Sequence, residues 1–155
     1  MPLTTDADLI SPIWHDRPTM PQNEIFEHDI AFAGKTRAAK LADIRAKMKA
    51  QNADFHLVTT LDDIGWTLNL RGSDVDCNPV FVAYLVIGIE RCDLFIDAAK
   101  VPADIKSNLN DDGVIIRPYA MVNDFATQLT EKQTIIVDPS NINFQLFRFV
   151  FNGFH

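Results

Sequence analysis

Basic charge is scarce in this 155-residue chain: 14 Lys and Arg stand against 21 Asp and Glu, for a formal net charge of -7. Nucleic-acid affinity comes mainly from cations that neutralise phosphates, and no Lys/Arg-rich run offsets the balance, so a nucleic-acid partner is excluded. Anionic membrane surfaces are disfavoured for the same reason. No apolar run approaches the roughly 20 residues needed to cross a bilayer. Met1 to Asp8 is polar and acidic, unlike the basic-then-apolar start of a secretory leader. Only two cysteines occur, Cys77 and Cys92, and they are not spaced as Cys-x-x-Cys, which leaves no zinc site. Both fall in or beside apolar segments, so buried, reduced thiols in a cytoplasmic protein are expected. The four histidines, His15, His28, His56 and His155, include no i, i+4 pair and no His-Glu-x-x-His. The nucleophile elbow, the dinucleotide glycine fingerprint and the Walker phosphate loop are absent as well.

What is present is enough for one domain with a sizeable core, since 47% of residues are hydrophobic. Residues 1–33 carry Pro2, Pro12, Pro18 and Pro21 and show no period, which predicts an extended arm pinned by Trp14, Ile25 and Phe26. Residues 34–155 hold the regular structure. Ala38, Leu41, Ile44, Arg45 and Met48 give a helix over Lys35 to Asn52, with its other Lys and Arg on the solvent side. Phe55 to Thr59 reads as a strand. Thr60 and Asp63 fit a capping box for a short helix ended by Arg71-Gly72. Val80 to Ile87 and Cys92 to Asp97 are apolar runs joined through Gly88 as a hairpin. A helix over Pro102 to Leu109, a strand over Val114 to Arg117, a helix over Ala120 to Leu129 and a strand over Thr134 to Val137 follow. A last helix is capped by Ser140 and carries Phe144, Phe147 and Val150. Alternation of helices and strands with one hairpin gives an α/β sandwich around a mixed sheet.

Paired carboxylates do not make a catalytic site here. Asp62 and Asp63 sit in a first helical turn, where the dipole favours negative charge, and Asp111-Asp112-Gly113 is ordinary turn chemistry. Phe144, Phe147, Phe149, Phe151 and Phe154 are too many for one buried helix face, which predicts a surface for another domain. The segment LDDIGWTLNLRGSDVDCNPVFVAY, Leu61 to Tyr84, stands out because a polar loop, Arg71-Gly72-Ser73-Asp74, lies between apolar elements. Such loops carry binding residues. The bland alternative is a local Arg71–Asp74 salt bridge with Asn78 capping a turn. Trp66, on the apolar side of its helix, is expected to be buried beneath the Arg71 loop.

Leu61, Asp62, Asp63, Ile64 and Trp66, then Asn69, Leu70, Arg71 and Gly72 with Asp74, then Asn78, Pro79, Val80, Phe81 and Tyr84 resemble the long, three-domain Xaa-Pro aminopeptidases (aminopeptidase P). Ile13-Trp14 with Asp16-Arg17-Pro18 and Pro21, Ala33-Gly34-Lys35 with Lys40 and Arg45, Leu94-Phe95-Ile96-Asp97 and Asp138-Pro139-Ser140 with Asn143 agree in order, so the likeness runs from about Ile13 to Phe149. The resemblance implies the creatinase N-terminal fold, a mixed sheet of about six strands flanked by helices, as the middle, non-catalytic domain. It implies that cleavage before proline, and two divalent metals, commonly manganese, belong to a C-terminal catalytic domain. No metal ligand, cofactor or catalytic residue is expected in this chain. Its implied partners are that catalytic domain and the N-terminal domain of the full-length protein, and the resemblance allows a homodimer of the full-length enzyme. By position in the motif, Trp66, Arg71, Asp74, Asn78 and Phe81 are the candidates to frame the substrate cleft. Two alternatives stay open: a stand-alone binding module, and the N-terminal domain of a prolidase- or creatinase-like hydrolase.

Overall fold

The computed structural model describes Ile10 and residues 12–152 of the chain, so the expectations placed on Met1 to Asp8, Phe154 and His155 concern residues outside those described. In chain order the elements are β1 (Phe26–Glu27), α1 (Ile30–Ala33), α2 (Arg37–Ala50), β2 (Phe55–Val58), α3 (Leu61–Leu68), β3 (Leu70–Arg71), β4 (Tyr84–Gly88), β5 (Cys92–Phe95), α4 (Ala103–Asp111), β6 (Val114–Arg117), α5 (Val122–Thr127), β7 (Ile135–Ile136) and α6 (Phe144–Asn152). The main sheet has five strands in the order β6-β5-β4-β2-β7, and β1 with β3 forms a separate two-stranded ribbon. This is the expected mixed α/β architecture, with five strands in the main sheet instead of about six. Antiparallel pairing joins β2, β4 and β5, while β6 and β7 close the two edges in parallel.

Alternation along β4 divides the interior into two layers. Leu85 and Ile87 point to the side covered by Leu41 and Met48 of α2, Ile64 and Leu68 of α3, and Ile105 and Leu109 of α4. Tyr84 and Val86 point to the side covered by Val122 and Ala126 of α5 and Leu146 and Val150 of α6. Each fully buried Leu or Ile contributes roughly 1.5–3 kcal/mol from apolar area removed from water, which fixes the strand register, because a one-residue slip would turn every such side chain to the opposite face.

Several local expectations give way to competing interactions. On α2, Ala38 is exposed, whereas Arg37 and Lys40, expected in solvent, are buried. Asn69, at φ 53, ends α3 in the left-handed conformation; Leu70 and Arg71 then pair with Glu27 and Phe26. The stretch expected as an extended arm thus holds β1 and α1, and within it Ile25 is buried while Trp14 and Phe26 are exposed. Residues 80–83 do not join β4. Backbone groups there serve the preceding loop, where the Asp74 amide donates to Val80 O at 3.1 Å and the Val82 amide to the Asp74 carboxylate at 2.6 Å, next to a bond from the Gly72 amide to Pro79 O at 3.3 Å. The helix expected over Ala120 to Leu129 is a 3-10 turn, Tyr119–Met121, followed by the short α5. Asn143, not Ser140, caps α6: its Oδ1 accepts from the Leu146 amide at 2.9 Å, while the Ser140 amide donates to the Asp138 carboxylate.

Candidate functional site

The carboxyl end of α3 is where the polar chemistry gathers. The last carbonyls of a helix lack intrahelical donors and carry partial negative charge. Two buried cations from α2 meet them. Arg37 Nε donates to Leu68 O at 2.7 Å, and its other nitrogens bind Asp112 at 2.7 Å and Glu27 at 3.1 Å. Lys40 Nζ donates to Trp66 O at 2.8 Å and to Asn69 Oδ1 at 2.7 Å. The same ammonium lies 4.3 Å from the centroid of the Trp66 ring, a cation–π contact. Asn69 is fixed in turn, with Nδ2 donating to Lys35 O at 2.9 Å. Burial, and after it the neighbouring Arg71 guanidinium, holds the Lys40 ammonium below the ordinary lysine value.

Trp66 is therefore not covered by the loop. It is 51% exposed, one face resting on the buried ammonium. The expectation of burial fails because α3 packs inward through Ile64, Gly65, Thr67 and Leu68, which leaves position 66 outside the buried arc. Arg71 is half-buried, and its Nη1 donates to Leu70 O at 2.8 Å. A Cβ on Gly65 would meet Leu70 O at 2.9 Å and Arg71 Nη1 at 3.4 Å, so the guanidinium folds back over the helix beside Trp66.

The Arg71–Asp74 salt bridge of the bland alternative is absent among the described residues. The Asp74 side chain is fully buried and paired instead with the buried Lys100. The same oxygen accepts from the Val82 amide at 2.6 Å, and the other has no hydrogen-bond partner among the described residues. Phe81 is buried in the core. Asn78 is exposed near the loop tip, where its amide donates to Val75 O at 3.2 Å, and next to it Cys77 is exposed at φ 60, against the expectation of a buried thiol. Cys92 is buried as expected, its thiol pushed up to about 12 by burial. The five motif residues thus separate: Trp66 and Arg71 share one surface, Asp74 and Phe81 hold the loop from within, and Asn78 lies at the tip.

Beside Trp66 a cleft of about 330 Å³ opens at the carboxyl ends of the parallel strands β2 and β7, where open α/β sheets bind ligands. His56, Thr60, Asp63 and Trp66 are among its lining. Thr60 does not complete a capping box; its hydroxyl donates to the Asp63 carboxylate, and no side-chain cap closes α3. Burial lowers the His56 pKa, partly offset by Asp63. Neither the inward turn of Lys40 nor the cleft was evident from sequence, although Lys40 stands among the residues that carry the family likeness. A lysine among the cations of an amphipathic helix carries no mark that it will turn inward. Among the described residues no group of three or more His, Cys, Asp and Glu is arranged to hold a metal ion, and no helix is long and apolar enough to cross a membrane.

Comparison with known proteins places these features in context. Aminopeptidase P2 of Arabidopsis thaliana is 35% identical over 140 residues, 89% of this chain and 20% of that protein. Xaa-Pro aminopeptidase 1 of Dictyostelium discoideum is 43% identical over 124 residues, 79% of this chain and 20% of that protein. The crystal structure of an X-prolyl aminopeptidase from Caenorhabditis elegans, described as a cytosolic enzyme with a di-nuclear active site, superposes with a TM-score of 0.75 at 30% identity, over 78% of this chain and 20% of that one. A creatinase/prolidase-like N-terminal domain from Corynebacterium diphtheriae shares the fold at a TM-score of 0.52 and 12% identity, over 77% of this chain and 89% of that one. The chain thus spans about 20% of the length of the curated relatives it matches. Residues 16–153 match the family model described as Creatinase/Prolidase N-terminal domain. Fold, motif and match agree, and the chain belongs to the creatinase/prolidase N-terminal domain family.

Proposed function

We propose that this chain is a non-catalytic domain of an Xaa-Pro aminopeptidase, a hydrolase that removes the N-terminal residue before a proline. The observation that supports it most is the identity of 35–43% to two such aminopeptidases over most of this chain, confined to about 20% of their length. In this reading the two divalent metals, manganese as the working choice, sit in a catalytic domain elsewhere in the polypeptide, and the protein works in the cytoplasm. This chain supplies a flank of the substrate cleft, residues 34–155, with β1 and α1 of the preceding stretch packed onto it. Trp66 and Arg71 face the substrate cleft from that flank, and Asp74 and Phe81 hold the loop in place behind them. Asn78 at the loop tip is the third candidate contact, to a neighbouring domain or to a second copy in a homodimer.

The test is an Xaa-Pro peptide cleavage assay on two proteins: the 155-residue chain alone, and a polypeptide joining it to a metal-binding domain like that of its relatives. The joined protein cleaves with manganese and stops with a chelator, and the isolated chain does not cleave. Cleavage by the isolated chain would overturn the non-catalytic assignment, and a folded, metal-loaded joined protein without Xaa-Pro cleavage would overturn the aminopeptidase assignment.

A further inference from the structure

Two cations beside Trp66, Lys40 and Arg71, lack the carboxylate partner that the buried Arg37 and Lys100 have. Arg37, Lys100, Lys35, Arg91 and Arg117 each have a carboxylate partner. Lys40 and Arg71 have no ion-pair partner among the described residues. Lys40 is 2% exposed, and its ammonium is held by a carbonyl, an amide oxygen and an indole face, none of which bears a full charge. Arg71 is half-buried beside it, and the one hydrogen bond seen from its guanidinium goes to a neutral carbonyl. The two cations are close enough for Arg71 to lower the Lys40 pKa. Asp63 lines the same cleft as Trp66, but it takes the Thr60 hydroxyl and forms no ion pair with either cation.

Both groups that reach solvent suit one kind of ligand. The Arg71 fork can hold a carboxylate through charge-assisted hydrogen bonds. The half-exposed indole of Trp66, pinned by Lys40, offers a flat apolar wall at the margin of the cleft. Because two cations without an ion-pair partner reward a full negative charge more than a carbonyl dipole, we propose that Trp66 and Arg71, backed by the buried charge of Lys40, form an acceptor for a carboxylate that lies next to an apolar ring. The inference deepens the reading of Trp66 and Arg71 given above, but it is measured on this chain by itself, so its failure leaves the aminopeptidase assignment standing and the reverse also holds.

The probes are N-acetylproline, a carboxylate beside an apolar ring, and N-acetylprolinamide, which differs by that charge. Binding is read from Trp66 fluorescence in a Trp14→Phe background, which removes the other tryptophan. The acid gives a saturable change and the amide does not, and Arg71→Gln weakens acid binding at least about tenfold, the loss of one charge-assisted hydrogen bond. Arg71 lies outside the core, so that variant folds, which a far-ultraviolet circular dichroism spectrum confirms. Equal responses to acid and amide, no response to either, or a folded Arg71→Gln that binds the acid like the parent would each overturn the proposal. The same titration on a longer polypeptide carrying the remaining domains separates the two sources of carboxylate. A response retained there points to the end of a free peptide, and one lost there to a carboxylate of the polypeptide itself.

Discussion

Asp74 and Arg71 are three residues apart and carry opposite charges, but they belong to different systems. Asp74 pairs with Lys100 inside the molecule, so Asp74→Ala strands a buried ammonium and costs about 3–5 kcal/mol. Arg71→Ala costs under about 1 kcal/mol, as a half-exposed charge with one hydrogen bond to a neutral carbonyl does. Urea denaturation of the single and double variants checks this: the losses add for Asp74 with Arg71 and couple strongly for Asp74 with Lys100. Trp66→Ala costs about 1–2 kcal/mol, against the roughly 3–5 kcal/mol of a fully buried tryptophan, because half of the residue already faces water. His56 gives the chain a pH dependence whose sign follows from burial. Burial holds its folded pKa below the ordinary histidine value of 6.5, so the unfolded chain takes up the proton first. Stability is complete above that value and is lost as pH falls toward the folded pKa. Thermal melts of the parent at about pH 7.5 and about pH 5.5 show this fall, and His56→Gln reduces it.

At the level of elements, the loop over residues 72–83 depends on a glycine for space rather than for backbone freedom. A Cβ at Gly72 would stand 2.7 Å from Phe81 Cβ and 3.0 Å from Val80 O. Gly72→Ala therefore forces the two limbs of the loop apart and costs roughly 1–3 kcal/mol, read as a lower melting temperature with a Cys77 thiol that reacts faster. The strong periodic elements were legible in the sequence. The β4–β5 hairpin, β6 and the helix of α2 follow from apolar spacing and turn residues, because burial on one or two faces writes itself into the pattern. The polar interior was not legible. Arg37 and Lys40 look like solvent-facing cations and Asp74 looks like a partner for Arg71, since sequence spacing carries no record of helix termini that pack together from distant segments. Trp66 was misplaced for a related reason: an eight-residue helix is too short for its apolar residues to define which of them lies at the margin.

Across the whole molecule, one side of the sheet is closed by α2, α3 and α4 and the other by α5 and α6, yet α6 remains apolar on its outer face. Phe144, Phe147 and Phe151 are exposed there, with the rings of Phe147 and Phe151 4.4 Å apart. That excess agrees with the expectation of a neighbouring domain and with a chain that spans about 20% of its relatives. In this account the domain contributes position rather than reaction chemistry, with Trp66 and Arg71 as its contribution to an Xaa-Pro cleft. The most direct measurement is kcat/KM for an Xaa-Pro peptide in a metal-loaded polypeptide that joins this chain to a catalytic domain, compared between the parent and Arg71→Ala at matched thermal stability. The account predicts a loss of about tenfold or more, the worth of one charge-assisted hydrogen bond. An Arg71→Ala protein of unchanged stability and unchanged kcat/KM would contradict it.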